Sequence, residues 1–470
     1  MAAKLGFYLN ITITILSFSM AHAQLTPEMQ RKDLDQLNSA LISMHPGIHR
    51  YTSVDDLADA RMKLESSLDR PRSPLEFYRL VAPYVSMLRC DHTSLQPPKS
   101  VTREMKDGRN LFPLRIRRLG ERWWVVQDFH KQTTIEPGTE LLSINGRPMC
   151  EIEQSILPAL STDGFIETGA LYNLQKSFPV LYALHIEFAP NSFALILADD
   201  KGKQFGREVT GLSREEIGDR DSKKRSPYNC SYLDEGKHAL IDIRNFETKG
   251  FRSFVKSTFA GIQQRKIDTV TLDLRGNGGG TDEWGALLCS YFLKHPFGYY
   301  NRIEVTDDYR SKKQGVKTID GLRQVTKPEG LSLQAPATNV FTGRVFVLID
   351  GGTFSTAADV ASVLHSNGVG TFIGEESGGG YYGNTSGDSS KLKLAESGIK
   401  LELQKWMYTT AIGDRGAEVE PGRGVPVEHK VAPTISELLN GEDVGLRKVR
   451  DLLSVSEAEV SFIDHSKNRD

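Results

Sequence analysis

The sequence predicts a mixed α+β protein in which three kinds of pattern follow one another along the chain. Up to about residue 100, apolar residues recur at three- and four-residue spacing, which is typical of amphipathic helices. Between about residues 110 and 210, alternating apolar residues and Pro-Gly and Asn-Gly turns indicate short strands. From about residue 236 onward, predicted strands alternate with predicted helices, which implies a parallel or mixed sheet covered by helices.

The composition is that of a globular protein without a strong charge bias. The 470 residues are 39% hydrophobic and 25% charged, and 58 Lys and Arg against 60 Asp and Glu give a net charge of −2. A chain of this length is expected to form several domains. The balanced charge argues against nucleic acid as the main partner, because nucleic-acid-binding proteins usually carry a basic surface.

Residues 1–23 have the pattern of a secretory signal peptide. An early lysine is followed by a mostly apolar stretch and then by Ala21-His22-Ala23, so we expect cleavage after Ala23. A membrane anchor is the alternative, but the apolar stretch is short and polar residues interrupt it. The interrupting residues are Asn10, Thr12 and Ser17. The sequence therefore predicts a secreted or periplasmic protein without a stable membrane span.

The remaining chain is predicted to divide into three domains and a tail. Residues 24–105 form a predicted helical N-terminal domain, in which the dipeptide Ser73-Pro74 marks a helix start. Residues 106–212 form a small predicted β domain. Residues 213–435 form the domain of alternating strands and helices, and residues 436–470 form a polar C-terminal tail.

The four cysteines predict neither a disulfide framework nor a zinc site. Export would permit disulfides, but four cysteines are few for a chain of this length, and their spacings match no zinc motif. The cysteines are Cys90, Cys150, Cys230 and Cys289. We predict no pairing among them, and the sequence suggests neither a metal nor a cofactor.

Glycine-rich stretches follow three of the predicted strands in the domain of residues 213–435. They read "LRGNGGG", "IDGGTFS" and "GEESGGGYYGN". In sheets of this kind, ligands gather at the loops beyond the carboxyl ends of the strands. The first stretch contains G-x-G, but Thr281 stands where a dinucleotide loop would have its third glycine. We therefore interpret this stretch as a wide backbone turn facing a site.

Ser355 follows the second of these glycine turns and opens a predicted helix, with Thr353 as the expected cap. Free N–H groups at a helix start favour an anion and would stabilise an oxyanion intermediate. The residues alone leave two interpretations open, a nucleophile and an ordinary helix-start serine.

A nucleophilic serine needs a base within hydrogen-bond reach, and histidine has the suitable pKa. His92, in "RCDHTSL", is a candidate that Asp91 could orient, although neighbouring residues of a strand point in opposite directions. The competing histidines are His45, His365 and His429.

The combination of "LDLRGNGGG" with the later "GGTFSTAADVASVLHSNGVGTFIGEESGGG" resembles the C-terminal processing, or tail-specific, peptidase family. "IEPGTELLSINGRP" is similar to the signature strand pair of that family's PDZ domain. The resemblance implies a PDZ-like β domain and a catalytic α/β sandwich resembling the ClpP/crotonase fold. It implies that Ser355 is the nucleophile. The N–H of Thr356, with that of Gly278 or Gly279, would form the oxyanion hole.

The resemblance also distinguishes two branches of that family. Many members use a serine and lysine dyad, but Gly380 stands where the lysine would be, and no lysine occurs between Ser355 and Lys391. The sequence is closer to the branch resembling the tricorn core protease, which uses serine, histidine and an acid. That resemblance makes His92 the base. It makes Glu420, in "EVEPGRGVPVEHKV", the favoured acid, and leaves four other candidates: Glu418, Asp414, Glu375 and Glu376.

The function implied is hydrolysis of peptide bonds in a peptide or unfolded protein, through an acyl-enzyme on Ser355. Two alternatives remain open from the sequence. One is a catalytically inactive member of the same fold that binds a peptide or a lipophilic ligand, and the other is an acyl hydrolase or esterase. A nicotinamide-dependent enzyme is a more distant alternative.

Overall fold

The computed structural model describes residues 24–108, 110–221, 226–247 and 249–454. The predicted signal peptide lies outside the described residues. The helices are α1 (Pro27–Met44), α2 (Val54–Ser66), α3 (Pro74–Ser86), α4 (Lys99–Asp107), α5 (Met149–Ile156), α6 (Glu167–His185), α7 (Arg214–Asp221), α8 (Phe251–Gln264), α9 (Asp282–Ser290), α10 (Thr356–Ser366) and α11 (Ile435–Leu439). Residues 444–454 are also helical. Among the described helices, none combines the length and the apolar character that a membrane crossing requires.

Within the part of the chain that the structure describes, the strands form three sheets of six strands each. The strands are β1 (Ser94–Gln96), β2 (Leu114–Leu119), β3 (Arg122–Asp128), β4 (Glu140–Ile144), β5 (Arg147–Pro148), β6 (Ser192–Ala198), β7 (Gln204–Thr210), β8 (Tyr228–Leu233), β9 (His238–Ile243), β10 (Thr269–Asp273), β11 (Tyr300–Glu304), β12 (Val316–Ile319), β13 (Leu322–Val325), β14 (Arg344–Ile349), β15 (Thr371–Gly374), β16 (Thr385–Lys393), β17 (Lys400–Thr410) and β18 (His429–Lys430). The chain is therefore a mixed α+β protein, as the sequence predicts.

The first helical region starts its helices with side-chain caps. Thr26, Ser53 and Ser73 each accept a backbone N–H at the start of α1, α2 and α3, and Ser73 and Glu76 form a reciprocal capping box. The predicted helix start at Ser73-Pro74 is confirmed. The core of this region also contains Leu401 and Leu403 of β17, and β1 pairs with the same strand. The N-terminal helices are therefore built onto a strand that comes 300 residues later.

The middle sheet has the order β2-β3-β4-β6-β7, with β5 paired to β4. Strand β3 and the hairpin β6–β7 lie between residues 110 and 210, where the sequence predicts short strands. The sequence pattern did not predict helix α6, whose interior contains Pro179 and a kink at Ser177. One face of α6 completes the core of this sheet with Leu174 and Phe178.

The sheet that positions the site has the order β18-β15-β14-β10-β9-β8. Strands β9, β10, β14, β15 and β18 are parallel, and only β8 is antiparallel. The residues of β10 are all buried and those of β14 are buried after Arg344, because helices cover both faces. On one face, Val449 of the helical residues 444–454 packs against Phe346, Leu348 and Ile373.

Candidate active site

The loop after β14 presents Ser355 in a strained backbone conformation. Ser355 has φ 55° and ψ −132°, and α10 begins at the next residue. A non-glycine residue in such a region costs about 1 to 3 kcal/mol and persists only where its surroundings enforce it. Ser355 makes no side-chain cap to the helix. The conformation points to a functional serine rather than an ordinary helix-start residue.

Thr353 does not cap α10, contrary to the prediction. Its hydroxyl donates to the carbonyl of Leu274 at 2.9 Å and accepts the N–H of Asp350 at 3.1 Å. Asp350 accepts the N–H groups of Gly276 at 2.8 Å and Gly352 at 2.9 Å. These contacts connect the loop after β10 to the loop after β14, because Thr353 and Asp350 each make hydrogen bonds to both loops.

The loop after β10 approaches Ser355 so closely that it requires glycine. A Cβ on Gly279, which has φ +96°, would lie 2.7 Å from Cβ of Ser355 and 2.9 Å from the nitrogen of Thr356. Phe354 donates its N–H to the carbonyl of Asn277 at 2.9 Å, which fixes the spacing of the two loops. The absence of a side chain at Gly279 therefore sets the shape of the space beside Ser355.

The predicted oxyanion donors differ in whether their N–H groups already have a hydrogen-bond partner. The N–H of Gly279 donates to Oδ1 of Asn277 at 2.9 Å and is therefore occupied. The N–H groups of Gly278 and Thr356 have no hydrogen-bond partner among the described residues. Of the two predicted alternatives, Gly278 is the one whose N–H is free to act together with Thr356.

His92 lies beside Ser355, although 263 positions separate them in the chain. Its Nε2 is 3.1 Å from Oγ of Ser355. The imidazole stacks on the ring of Phe354 with 4.5 Å between the ring centroids. The carbonyl of His92 accepts a hydrogen bond from Gln404 of β17 at 2.9 Å. Ring stacking and a backbone contact thus hold the imidazole against the serine hydroxyl.

The second ring nitrogen of His92 is buried and has no partner among the described residues. Burial lowers the pKa of His92 to about 4, so the imidazole is neutral near pH 7. A neutral imidazole can accept the serine proton. When Nε2 accepts from Ser355, the ring proton lies on Nδ1, where no carboxylate of the described residues receives it.

None of the acids that the sequence suggested makes a hydrogen bond to His92 among the described residues. Glu420 is exposed and, together with Glu418, Glu375 and Glu376, lines a separate cavity of about 390 Å³. Glu376 pairs there with Arg423 at 2.6 Å. The side chain of Asp414 lies outside the described part of the structure. The closing turn containing Glu420 is held by the N–H of Arg423, which donates to the carbonyl of Glu420, and by the N–H of Val425, which donates to the hydroxyl of Ser377.

The other histidines do not hydrogen-bond to Ser355. His365 pairs with the hydroxyl of Tyr381 at 2.9 Å, His45 is buried without a ring-nitrogen partner among the described residues, and His429 belongs to β18. Asp91 accepts from Asn173 at 3.1 Å instead of orienting His92. Burial and the neighbouring Asp163 raise the pKa of Asp91 to about 7.

Several residues that shape the site were not among the residues predicted from the sequence. Asn277 and Asp350 could have been suspected because they stand in glycine turns at strand ends. Phe354, Gln404 and Asp163 could not, because their relevance comes from contacts with residues far away in the chain.

A serine in a strained strand-to-helix turn, with a histidine at hydrogen-bond distance and free N–H groups beside it, is the geometry of a serine hydrolase site. Residues 237–421 match the model of Peptidase family S41. The structure of mature CPAF complexed with lactacystin is similar, with a TM-score of 0.65 and 14% sequence identity over 91% of this chain and 98% of that chain. Mature CPAF alone gives a TM-score of 0.61 and 12% identity over 88% of this chain and 94% of that chain.

A more distant structural match is the photosystem II D1 C-terminal processing protease, with a TM-score of 0.42 and 14% identity over 86% of this chain and 93% of that chain. A search of curated proteins gave no match. Residues 237–421, which contain Ser355, thus match the model of peptidase family S41, and the predicted resemblance to C-terminal processing peptidases is confirmed. The protein has the fold and family signature of a serine peptidase.

Proposed function

We propose that this protein is an exported serine peptidase that hydrolyses peptide bonds through an acyl-enzyme on Ser355, with His92 as the general base. The observation that carries the proposal is the 3.1 Å contact between Nε2 of His92 and Oγ of the strained Ser355. Neither feature is needed for a helix-start serine. The contact with a base is what a serine needs if it is to lose its proton as it attacks a carbonyl.

The first half of the reaction forms the acyl-enzyme. Ser355 attacks the peptide carbonyl carbon while its proton moves to Nε2 of His92. The carbonyl oxygen becomes an oxyanion between the N–H groups of Gly278 and Thr356, each worth about 3 kcal/mol in the transition state. His92 then returns the proton to the leaving amine, and the C–N bond breaks.

The second half releases the product. Water loses a proton to Nε2 of His92 as its oxygen attacks the acyl carbon, and the same N–H groups stabilise the second oxyanion. The proton passes to Oγ of Ser355 as the ester bond breaks. Among the described residues, the imidazolium formed in each half has no counter-ion at Nδ1, so this base is less well stabilised than the base of a complete triad.

A peptide or unfolded protein is the substrate that this mechanism suits. Strand β7 lies at an edge of the middle sheet and most of its residues are exposed. An extended peptide could add to that edge through backbone hydrogen bonds. Export follows from the sequence of residues 1–23.

One observation favours a second candidate function. The unpartnered Nδ1 of His92 and the pKa lowered to about 4 would also suit an inactive member of the fold that binds a peptide without cleaving it. Such a protein would keep its cleft but would not activate Ser355.

Covalent labelling by a fluorophosphonate separates these functions. We expect the wild-type protein to be labelled once per chain, with the adduct on Ser355, and the Ser355→Ala variant not to be labelled. Turnover of an unstructured protein should fall at least 10⁴-fold in Ser355→Ala. Lactacystin, with which a structural neighbour was solved, provides a second probe. A folded wild-type protein that neither reacts nor cleaves would support the binding function, and turnover of p-nitrophenyl esters without any cleavage of an unstructured protein would indicate an acyl hydrolase.

A further inference from the structure

The turn that carries His92 is attached to the rest of the site by a short segment from the middle of the chain. We call residues 161–165 the bridging segment. The hydroxyl of Ser161 donates to the carbonyl of Thr93 at 3.1 Å. The N–H of Gly164 donates to the carbonyl of Arg89 at 3.1 Å, and the guanidinium of Arg89 returns a hydrogen bond to the carbonyl of Gly164 at 3.3 Å.

The other side of the bridging segment contacts the catalytic domain. The N–H of Phe165 donates to the carbonyl of Gly422 at 2.8 Å, and Arg423 donates to the carbonyl of Phe165 at 2.9 Å. Gly164 has φ +59°, and a Cβ there would lie 2.3 Å from the oxygen of Gly422. The two backbones therefore meet without room for a side chain between them.

Asp163 is the residue of the bridging segment that faces both sides at once. It is 2% exposed, and its Oδ1 accepts the N–H of Asp91, the residue before His92, at 3.0 Å. The N–H of Gly380 faces the same carboxyl group. The preceding residue, Gly379, donates its N–H to the carbonyl of Thr353, two residues before the serine. One side chain thus connects the turn of the base to the loop of the nucleophile.

A buried carboxyl group is costly unless its contacts repay the cost. Oδ2 of Asp163 has no partner among the described residues, and burial raises the pKa of Asp163 to about 6. Arg50 is the cation that acts on this carboxyl group from the N-terminal helical region. An apolar residue would be easier to bury here, so the hydrogen bond from the N–H of Asp91 is the reason that a carboxyl group suits this position.

We propose that Asp163 is a positioning residue that holds His92 at hydrogen-bond distance from Ser355. It acts through the backbone of Asp91 and touches neither the serine nor the space in which a substrate would lie. This inference rests on the proposed function of Ser355 and His92. It adds a residue, supplied by a third region of the chain, without which the base and the nucleophile would separate.

The test compares Asp163→Ala with Asp163→Asn and with a matched control, Asp128→Ala. Asp128 is a buried carboxylate that accepts the N–H groups of His130, Thr134 and Ile135 in the middle sheet, far from the site. We expect Asp163→Ala to lower kcat and the rate of fluorophosphonate labelling about 100-fold, with KM changed less than twofold. Asp163→Asn keeps an oxygen acceptor for the N–H of Asp91. We therefore expect its kcat to be at least tenfold higher than that of Asp163→Ala. Asp128→Ala should lower Tm but leave kcat within twofold.

Crystal structures of the same variants provide a measurement that needs no activity. We expect the distance between Nε2 of His92 and Oγ of Ser355 to exceed hydrogen-bond range in Asp163→Ala and to stay near 3.1 Å in Asp128→Ala. An unchanged distance, an unchanged kcat in Asp163→Ala, or an equal loss of kcat in Asp128→Ala would overturn the inference. If wild type and all variants are unreactive while the distance still increases in Asp163→Ala, the proposed function fails and the positioning role stands.

Discussion

The two partners of the 3.1 Å contact at the site are held in very different ways. Ser355 stands in a loop fixed by its own neighbours, by two strand ends and by a glycine packed against its Cβ. His92 stands in a turn fixed by distant residues, Gln404 and the bridging segment, and its Nδ1 has no partner among the described residues. The position of the nucleophile is therefore fixed by several contacts within and beside its own loop, whereas the position of the base depends on the assembly of three regions of the chain. Changes near Ser355 should act through local shape, and changes near His92 through distance and charge.

Of the variants that test this difference between the two partners, we expect the variant of the glycine beside the nucleophile to lower kcat most. Gly279→Ala places a Cβ against Ser355 and the nitrogen of Thr356, at a position with φ +96°. We expect kcat to fall about 100-fold, because small misplacements of a reacting group have effects of that size. Steady-state kinetics with an unstructured protein as the substrate measures this fall in kcat. The control is Gly218→Ala in α7, where no atom would lie within 4 Å of the added Cβ. Wild-type kcat in Gly279→Ala would show that the nucleophile loop adapts more easily than its contacts imply.

The pH dependence of kcat/KM tests the state of the base. Burial lowers the pKa of His92 to about 4, so the neutral imidazole persists well below pH 6.5. We expect kcat/KM to fall tenfold per pH unit only below about pH 4. The unfolded chain binds a proton at His92 near pH 6.5 and the folded chain does not, so stability also falls as the pH drops from 6.5 to 4. Circular dichroism must therefore accompany the rate measurements.

The control for the pH profile is Asp91→Asn, because burial and Asp163 raise the pKa of Asp91 to about 7. A change in kcat/KM near pH 7 that disappears in Asp91→Asn would reflect the titration of Asp91. A limb near pH 7 that persists would mean that an anion faces Nδ1 in the active form, and that the base is better supported than the structure indicates.

A smaller effect is expected from the strain at Ser355. Ser355→Ala and Ser355→Gly both remove the hydroxyl group, but only glycine adopts φ 55° without strain. Alanine is usually more stable than glycine by about 0.4 to 1 kcal/mol, through the unfolded state. The strain of about 1 to 3 kcal/mol should reverse that order. We expect Ser355→Gly to be the more stable variant by about 1 kcal/mol, measured by urea denaturation. The opposite order would mean that the loop relaxes when the hydroxyl group is lost.

The smallest effect is expected at Glu420. Glu420→Gln removes a charge from an exposed side chain that lines a separate cavity. We expect kcat to stay within twofold of wild type, and Glu442→Gln, another exposed glutamate, provides the comparison. A loss of more than tenfold confined to Glu420→Gln would show that the closing turn moves to His92 during the reaction.

The same contrast explains what the sequence could predict. The nucleophile loop is local: a buried strand, two glycines and a helix lie within residues 344–366, so "VFVLIDGGTFSTAADV" indicates both the turn and Ser355. The cap was predicted wrongly because Thr353 bonds to Leu274, a partner that lies 79 positions away. The pairing of Ser355 with His92 was expected only through a family resemblance. Asp163 has no local signal, because its role exists only once Asp91 and Gly380 are brought together.

The predicted boundaries of the helical region illustrate the same limit. Periodicity predicted the helices of residues 24–105, but it could not show that Leu401 and Leu403 complete their core. Helix α6 was missed because its buried residues are interrupted by Pro179 and by the kink at Ser177. Contacts between regions, rather than propensities within them, decide these features.

The helical residues 444–454 cover one face of the strand that leads to Ser355, by packing Val449 against Phe346 and Leu348. Strand β14 ends at Ile349, so roughly 95 further residues must be synthesised before that cover is available. At about 5 to 20 residues per second, the apolar face of β14 stays uncovered on the ribosome for roughly 5 to 20 s. The sheet that positions Ser355 is therefore covered on this face only when synthesis of the chain has nearly ended.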